Sequence, residues 1–127
     1  MHYAGPDSRY TGPSMALEIS HNEIAPGTVV IAVVGKMMVG TGSEQIAGLV
    51  EELLRQGKRP VIFDLSGVTV LDSTGVGQFI SSFNKIVAAG GEMRMAGATG
   101  HVFRTFHVSM LDKMFRFYAT AEDAARG

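Results

Sequence analysis

The side chains best suited to chemistry lie in one short segment, Asp72-Ser73-Thr74-Gly75-Val76-Gly77. An apolar, β-branched stretch precedes this segment and an amphipathic one follows it, which predicts a strand that leads into a helix. Asp72 and Ser73 are both favourable N-cap residues, and Gly75 and Gly77 leave the first helical turn free of bulky side chains. Such a helix start exposes N–H groups and tolerates an anion. The Ser73 hydroxyl is therefore either a modification site or a simple helix cap.

Enzymatic use of Ser73 is not expected. A serine nucleophile needs a positioned base, and the sequence has neither a G-x-S-x-G turn nor a histidine with an evident route to Ser73. The absence of cysteine removes thiolate nucleophiles, disulfides and Cys-based zinc sites. His101 and His107 stand six residues apart on a predicted helix and point in different directions, and the glycine-containing segments lack the Gly-Lys-Ser/Thr ending of a phosphate loop. We expect no enzyme activity, no metal and no cofactor.

Length and composition predict one folded domain. The chain has 127 residues, of which 46% are hydrophobic and 18% charged, and its net charge of -1 gives no electrostatic footprint for nucleic acid. No apolar run approaches the ~20 residues that span a bilayer, so we expect a cytoplasmic protein without membrane insertion. Residues 1–14 contain two Pro and two Gly and are predicted to form a flexible leader before a domain at 15–127.

Strands and helices are predicted to alternate along this domain. A hairpin is expected from residues 15–20 and 28–34, which flank Pro26-Gly27, and a buried strand from residues 61–65. Between them a helix is expected to begin near Thr41, which has capping-box spacing to Glu44, and to end at Gly57.

The second half continues the alternation with a helix over residues 74–89, which Gly90-Gly91 ends. A strand at 92–97, a helix around 102–106, an edge strand at 115–118 and a short helix capped by Thr120 follow. In the helix at 74–89 the predicted inward residues are Val76, Phe79, Ile80, Phe83 and Val87, and the predicted outward ones are Gln78, Ser81, Ser82, Asn84 and Lys85. The sequence thus predicts a single α/β domain with a mixed β-sheet of four to five strands packed with α-helices.

Together with its flanks, the Asp72–Gly77 segment resembles the STAS family, and most closely the bacterial anti-sigma factor antagonists. Residues 16–125 follow the family's order of elements. The pieces that carry the resemblance are Val61-Ile62-Phe63-Asp64-Leu65-Ser66-Gly67-Val68, Asp72-Ser73-Thr74-Gly75-Val76-Gly77 and Ala89-Gly90-Gly91-Glu92-Met93. Asp64 itself is expected to satisfy backbone groups at the strand end.

The resemblance implies a partner switch. Ser73 matches the family's phosphorylated residue, and Thr74 is the adjacent hydroxyl. The unmodified antagonist would capture an anti-sigma factor, which is also a serine kinase, and free a sigma factor, whereas the phosphorylated antagonist would let go and a serine phosphatase would reset it. The implied partner-binding residues are Asp72, Thr74, Gly75, Val76, Gln78, Met37, Met38, Val39 and Gly40.

The loop after the second strand departs from the family, which often has an acidic residue there in a G-x-hydrophobic-D pattern. This chain has Gly35-Lys36-Met37-Met38. Met37, Met38 and Val39 are interpreted either as an adaptable apolar contact surface or, for at least one methionine, as a filler under the first helix. Two other functions stay open: a STAS scaffold without phosphorylation, in a signalling or transporter complex, and a nucleotide-binding regulatory module.

Overall fold

Five strands form one sheet in the order β1-β2-β3-β4-β5. The structure is a computed structural model that describes residues 17–40, 42–58 and 60–127. In chain order the elements are β1 (Glu18–Ala25), β2 (Thr28–Met37), α1 (Gln45–Arg55), β3 (Val61–Leu71), α2 (Ser73–Ala88), β4 (Met93–Ala96), α3 (Gly100–Val108), β5 (Arg116–Tyr118) and α4 (Ala121–Arg126), with a 3-10 turn at Leu111–Lys113. The leader predicted at residues 1–14 lies outside the described residues.

The sheet is mixed, as predicted. β1 pairs antiparallel with β2 through the predicted hairpin, and β2, β3, β4 and β5 pair in parallel. Parallel neighbours need crossover connections, which α1, α2 and α3 supply. The carboxyl ends of β2 and β3 therefore reach the same end of the sheet, where α2 begins.

Helices cover both faces of the sheet unequally. On one face, alternate residues of β2 and β3 pack with α1, α2 and α3 in the main core, in which the Phe63 and Phe79 ring centroids are 5.1 Å apart. On the other face, α4 packs over a smaller apolar cluster that contains Val30, Ile62 and Ala124. The main core is thus the support on which α2 lies.

β3 is longer than the sequence predicts, since it continues past Leu65 to Leu71. The β2–β3 ladder shifts register twice, which lets pairing continue as far as Met37 with Leu71. Position 67, inside the strand, requires a glycine, because a Cβ there would lie 2.7 Å from Val34 Cγ2. The Ser66-Gly67 pair therefore marks a close approach of two strands rather than their end.

The start of α1 differs from the prediction. The helix begins at Gln45, and Glu44 occupies the N-cap position with helical backbone angles and no side-chain cap hydrogen bond. Thr41, the predicted cap, lies outside the described residues. The predicted end is confirmed, because Gly57 follows the helix with a φ of 77°.

The predicted faces of α2 need two corrections. Ser82 was expected outward and is buried, whereas Val87 was expected inward and is about half exposed. At about 100° per residue, Ser82 stands about 40° from Ile86 on one side of the buried face, and Val87 stands about 80° from Phe79 on the other side. The sheet and α1 together cover an arc that hydrophobicity alone does not locate.

Candidate functional site

The first turn of α2 is capped by Asp72. The Asp72 backbone is extended and its Oδ1 accepts a hydrogen bond from the Gly75 N–H at 3.1 Å. Its own N–H donates to the Met37 carbonyl oxygen at 3.1 Å. Asp72 therefore satisfies a free amide of the helix and ties the helix start to the end of β2.

Ser73 is the first residue of α2 and is exposed. The simple-cap interpretation of Ser73 is corrected, because the cap is Asp72. Within the described part of the chain, the Ser73 hydroxyl takes part in no hydrogen bond. A hydroxyl that the fold does not use lies open to solvent at the positive end of a helix dipole.

Gly75 fixes how closely α2 approaches the sheet. A Cβ at Gly75 would lie 2.8 Å from both the Cβ and the carbonyl oxygen of Met37 and 2.6 Å from Leu71 Cδ1. Gly75 and Val76 are buried, so the expectation that both offer a partner-binding surface is corrected. Both residues are packed against the sheet and hold Ser73 in place.

The methionines after β2 have different roles. Met37 is fully buried in the main core, so it is a filler and does not form the expected contact surface. Met38 is half-buried, whereas Val39 is 76% exposed and Gly40 is exposed. The apolar surface expected here is thus reduced to Val39 and part of Met38, beside the exposed Gly40.

Thr74 and Gln78 are half-buried, and Gly77 is exposed with open space where a side chain would stand. Lys36, which has no motif that would indicate a function, is exposed near the end of β2 opposite Val70 of β3. Its position between Gly35 and Met37 in an otherwise apolar strand indicates a side chain directed out of the core. Lys36 therefore places a positive charge at this end of the sheet.

The remaining polar side chains of the described residues form local pairs. In residues 17–40, 42–58 and 60–127, no group of three or more His, Asp or Glu is placed to hold a metal ion. His107 Nδ1 lies 2.7 Å from Asp112 Oδ2, and this hydrogen bond lowers the pKa of Asp112. Asp64 Oδ1 accepts bonds from the Ser66 N–H and hydroxyl, so it satisfies a backbone group as expected, but within β3 and not at the strand end.

None of the helices in the described residues is long and apolar enough to cross a bilayer. This finding concerns the four helices of the domain, the longest of which is α2 with 16 residues. A helix of that length measures about 24 Å, short of the ~30 Å hydrocarbon layer.

Three solved structures show how widely this fold occurs. It is similar to an anti-sigma factor antagonist from Mycobacterium paratuberculosis, with a TM-score of 0.76 and 22% identity over 87% of this chain and 92% of that chain. It is also similar to the phosphorylated form of the Bacillus cell fate determinant SpoIIAA, with a TM-score of 0.67 and 23% identity over 85% of this chain and 96% of that chain. The third is a sulfate transporter family protein from Wolinella succinogenes, with a TM-score of 0.71 and 13% identity over 81% of this chain and 85% of that chain.

At such identities these similarities concern the fold. The family is shown by the sequence, because residues 21–124 match the STAS domain model. This match includes the strand that begins at Val61, the Asp72–Gly77 segment and the Gly90-Gly91 break. The resemblance inferred from those pieces is confirmed. The chain belongs to the STAS domain family.

Proposed function

We propose that this chain is an anti-sigma factor antagonist that is switched by phosphorylation of Ser73. In its unmodified form it binds an anti-sigma factor with serine kinase activity and thereby releases a sigma factor. It is a binding protein and a kinase substrate rather than an enzyme. Because sigma factors act on transcription, the proposal places the protein in the cytoplasm.

One observation carries the proposal: the Ser73 hydroxyl is exposed at the start of α2 while Asp72 performs the capping. A kinase can reach such a hydroxyl without breaking a bond that the fold needs. Membership of the STAS family and the similarity to solved anti-sigma factor antagonists support the same function.

Charge explains how phosphorylation would release the partner. A phosphate adds roughly -1.5 to -2 charges at neutral pH. On Ser73 it would lie beside the half-buried Asp72 carboxylate, and a docked partner would desolvate both anions. The fold would keep its shape, since helix N-terminal amides and the dipole favour an anion there. A serine phosphatase would reverse the change.

The proposed contact surface, named the Ser73 surface, comprises Asp72, Ser73, Thr74, Gln78, Val39, Gly40 and the exposed part of Met38. Beneath it, Met37, Gly75 and Val76 position the helix start without touching the partner. The exposed valine and the open first turn offer an apolar contact around the hydroxyl.

Binding of the anti-sigma factor by Ser73 variants tests the mechanism. Ser73→Asp should weaken binding by about tenfold or more, equivalent to ~1.4 kcal/mol, whereas Ser73→Ala should bind within about twofold of wild type. Asn84→Asp is a matched control, because it adds the same charge at an exposed position of α2 outside the Ser73 surface, and it should bind within about twofold of wild type. Titration calorimetry with folded variants measures the affinities, and equal values for wild type and Ser73→Asp would contradict the proposal.

Incubation with the kinase partner and ATP supplies an independent test. Peptide mapping should find one phosphate on Ser73, and none after Ser73→Ala. The sulfate transporter relative favours a second candidate, a STAS scaffold that works by assembly without phosphorylation. Absence of modification together with stable partner binding would favour that scaffold. Heat released on titration with GTP or ATP would instead indicate a nucleotide-binding module.

A further inference from the structure

The end of α3 and its connection to β5 expose three large apolar side chains within seven residues. Val108, Met110 and Met114 are 70%, 63% and 48% exposed. Single exposed apolar residues are ordinary on protein surfaces, but a group of them points to a binding surface. With the neighbouring Arg104 and Lys113, these residues are named the Met110 surface.

The backbone at Met110 makes this group unusual. Among the residues that the structure describes, Met110 is the non-glycine residue with a positive φ, at 64°. It follows the last turn of α3, where its N–H donates to the His107 carbonyl oxygen at 3.0 Å. Gly57 after α1 and Gly90 after α2 occupy the same position and make the equivalent bond. Two helices therefore end with the residue that this conformation favours, and α3 does not.

Folding does not account for the methionine. A side chain in the left-handed conformation is disfavoured by contact with its own backbone. Burial of that side chain in the core would offset the cost, but Met110 is mostly in water. The apolar residues that anchor the connection are instead Leu111 and Phe115, which are buried. A glycine at 110 would serve the fold better.

The connection rests on a fixed base that is remote from the Ser73 surface. The Phe115 ring lies 5.4 Å from that of Phe83 and 6.0 Å from that of Phe106. Phe83 is ten residues beyond Ser73 on α2, which corresponds to about 15 Å along the helix axis. A partner on the Met110 surface therefore leaves the start of α2 accessible.

The charges around the three apolar side chains are mostly positive. Arg104 stands one helical turn before Val108, and both are exposed. Lys113 is exposed between Leu111 and Met114. The acid of this segment, Asp112, is engaged by His107 at 2.7 Å. This positive rim occurs in a chain whose net charge is -1.

We propose that the Met110 surface is a second docking site, and that its occupant is a protein segment with apolar and acidic side chains. Methionine suits this role because its flexible thioether adapts to differently shaped apolar partners. The cations would steer an acidic segment to the surface and fix its orientation. The inference goes beyond the proposed function, because it concerns a site that phosphorylation of Ser73 does not touch.

Two other occupants fit the observations less well. A second copy docked about a two-fold axis would bring each Arg104 and Lys113 close to the same cations of its partner. An anionic membrane is usually engaged by an amphipathic helix with aromatic or leucine side chains. Here only Val108 of the three exposed apolar residues lies in a helix. Both alternatives are outcomes of the test below.

The test titrates the isotope-labelled full chain with two synthetic 16-residue helical peptides. Both carry the same leucine stripe, one flanked by glutamates and the other by lysines. The glutamate peptide should shift the amide resonances of residues 104–116 and bind at least about tenfold more tightly than the lysine peptide. Equal binding, shifts elsewhere, or binding only to phosphatidylglycerol vesicles would overturn the proposal, as would concentration-dependent self-association through residues 104–116.

Variants separate docking from folding. Met110→Gly should raise the unfolding temperature by a few degrees and yet lower the affinity for the glutamate peptide at least about fivefold. Lys113→Glu should lower that affinity about tenfold. Val39→Ser, an exposed valine of the Ser73 surface, is the matched control for Val108→Ser and should bind the peptide as wild type does. Unchanged peptide binding by Met110→Gly would overturn the proposal. Neither Met110→Gly nor Val108→Ser should alter anti-sigma factor binding, so failure of one proposal is distinguishable from failure of the other.

Discussion

The start of α2 and the end of α3 each hold a residue whose type goes against a simple backbone rule. Gly75 lies inside a helix, where glycine is unfavourable, and its φ is not positive. Met110 lies at a positive φ, where glycine is favourable. Gly75 is explained by its surroundings, since a Cβ would meet Met37 and Leu71. The surroundings of Met110 offer no such explanation.

This difference separates two kinds of departure from local preference. At Gly75 the fold requires the unfavourable residue, because the helix start approaches the sheet closely. At Met110 the fold would accept a better one, because the side chain is exposed. The first departure concerns stability and the placement of Ser73, whereas the second is evidence of an interaction outside the fold.

The largest expected effect comes from a side chain at position 75. Gly75→Ala should lower the free energy of unfolding by about 2–3 kcal/mol, because a new Cβ would contact the Met37 backbone, which cannot turn away. Gly77→Ala is the matched control: it lies in the same turn with open space, and should stabilise by about 0.5–1 kcal/mol. Urea unfolding measures both, and similar effects of the two substitutions would mean that the close approach is not what selects Gly75.

Loss of the Asp72 cap should lower the free energy of unfolding by less than a side chain at position 75 does, and by more than loss of the Ser73 hydroxyl does. Asp72→Ala removes the bond to the Gly75 N–H and should lower the free energy of unfolding by about 1 kcal/mol. Ser73→Ala should change it by less than about 0.5 kcal/mol, because the hydroxyl is exposed and Asp72 is the cap. Thermal unfolding measures the pair. If Ser73→Ala lowered the free energy of unfolding by more than Asp72→Ala, Ser73 would be the cap, and its hydroxyl would not be free for a kinase.

A smaller effect of opposite sign is expected at the end of α3. Met110→Gly should raise the free energy of unfolding by about 0.5–1 kcal/mol, since glycine adopts a positive φ without contact strain. Gly90→Ala is the converse control, because nothing lies within 4 Å of its added Cβ and only the φ of 79° opposes it. It should destabilise by about 1 kcal/mol. Destabilisation by Met110→Gly would show that the methionine serves the fold after all.

The order of the elements could be predicted from the sequence, since each has a local signal. The turn at Pro26-Gly27, the break at Gly90-Gly91 and the cap at Thr120 all occur as expected. The observed bounds differ from the predicted ones where tertiary contacts decide them. β3 continues through Ser66-Gly67 because β2 lies alongside it. The register shifts that allow this pairing have no signal in the sequence of β3.

The composition of the site could be predicted only in part. The segment around Ser73 was located from its residue types, and the family resemblance supplied its role. The helical period placed Val76 inward, as observed, but the sequence did not show that Gly75 and Met37 face inward, because each lies at the end of its element, where few residues define a period. The Met110 surface was missed for a similar reason: a positive φ at a methionine has no local sequence signal.

The weakest expected effect concerns how the end of α3 is held, in contrast to the packed start of α2. His107 lowers the pKa of Asp112 from its usual 3.8 by a hydrogen bond and by its charge. A carboxyl whose pKa is lower in the folded state stabilises the fold above its unfolded pKa, and this contribution disappears as the pH falls through the folded pKa. Asp112→Asn should therefore lower the unfolding temperature slightly at about pH 6, and this loss should shrink as the pH falls below the usual pKa of the carboxyl. Because His107 is exposed, added salt should shrink the difference at pH 6, whereas the loss caused by Gly75→Ala should not respond to salt. Thermal unfolding of both variants at low and high salt measures this contrast, and equal salt responses would mean that the two helix ends are stabilised in the same way.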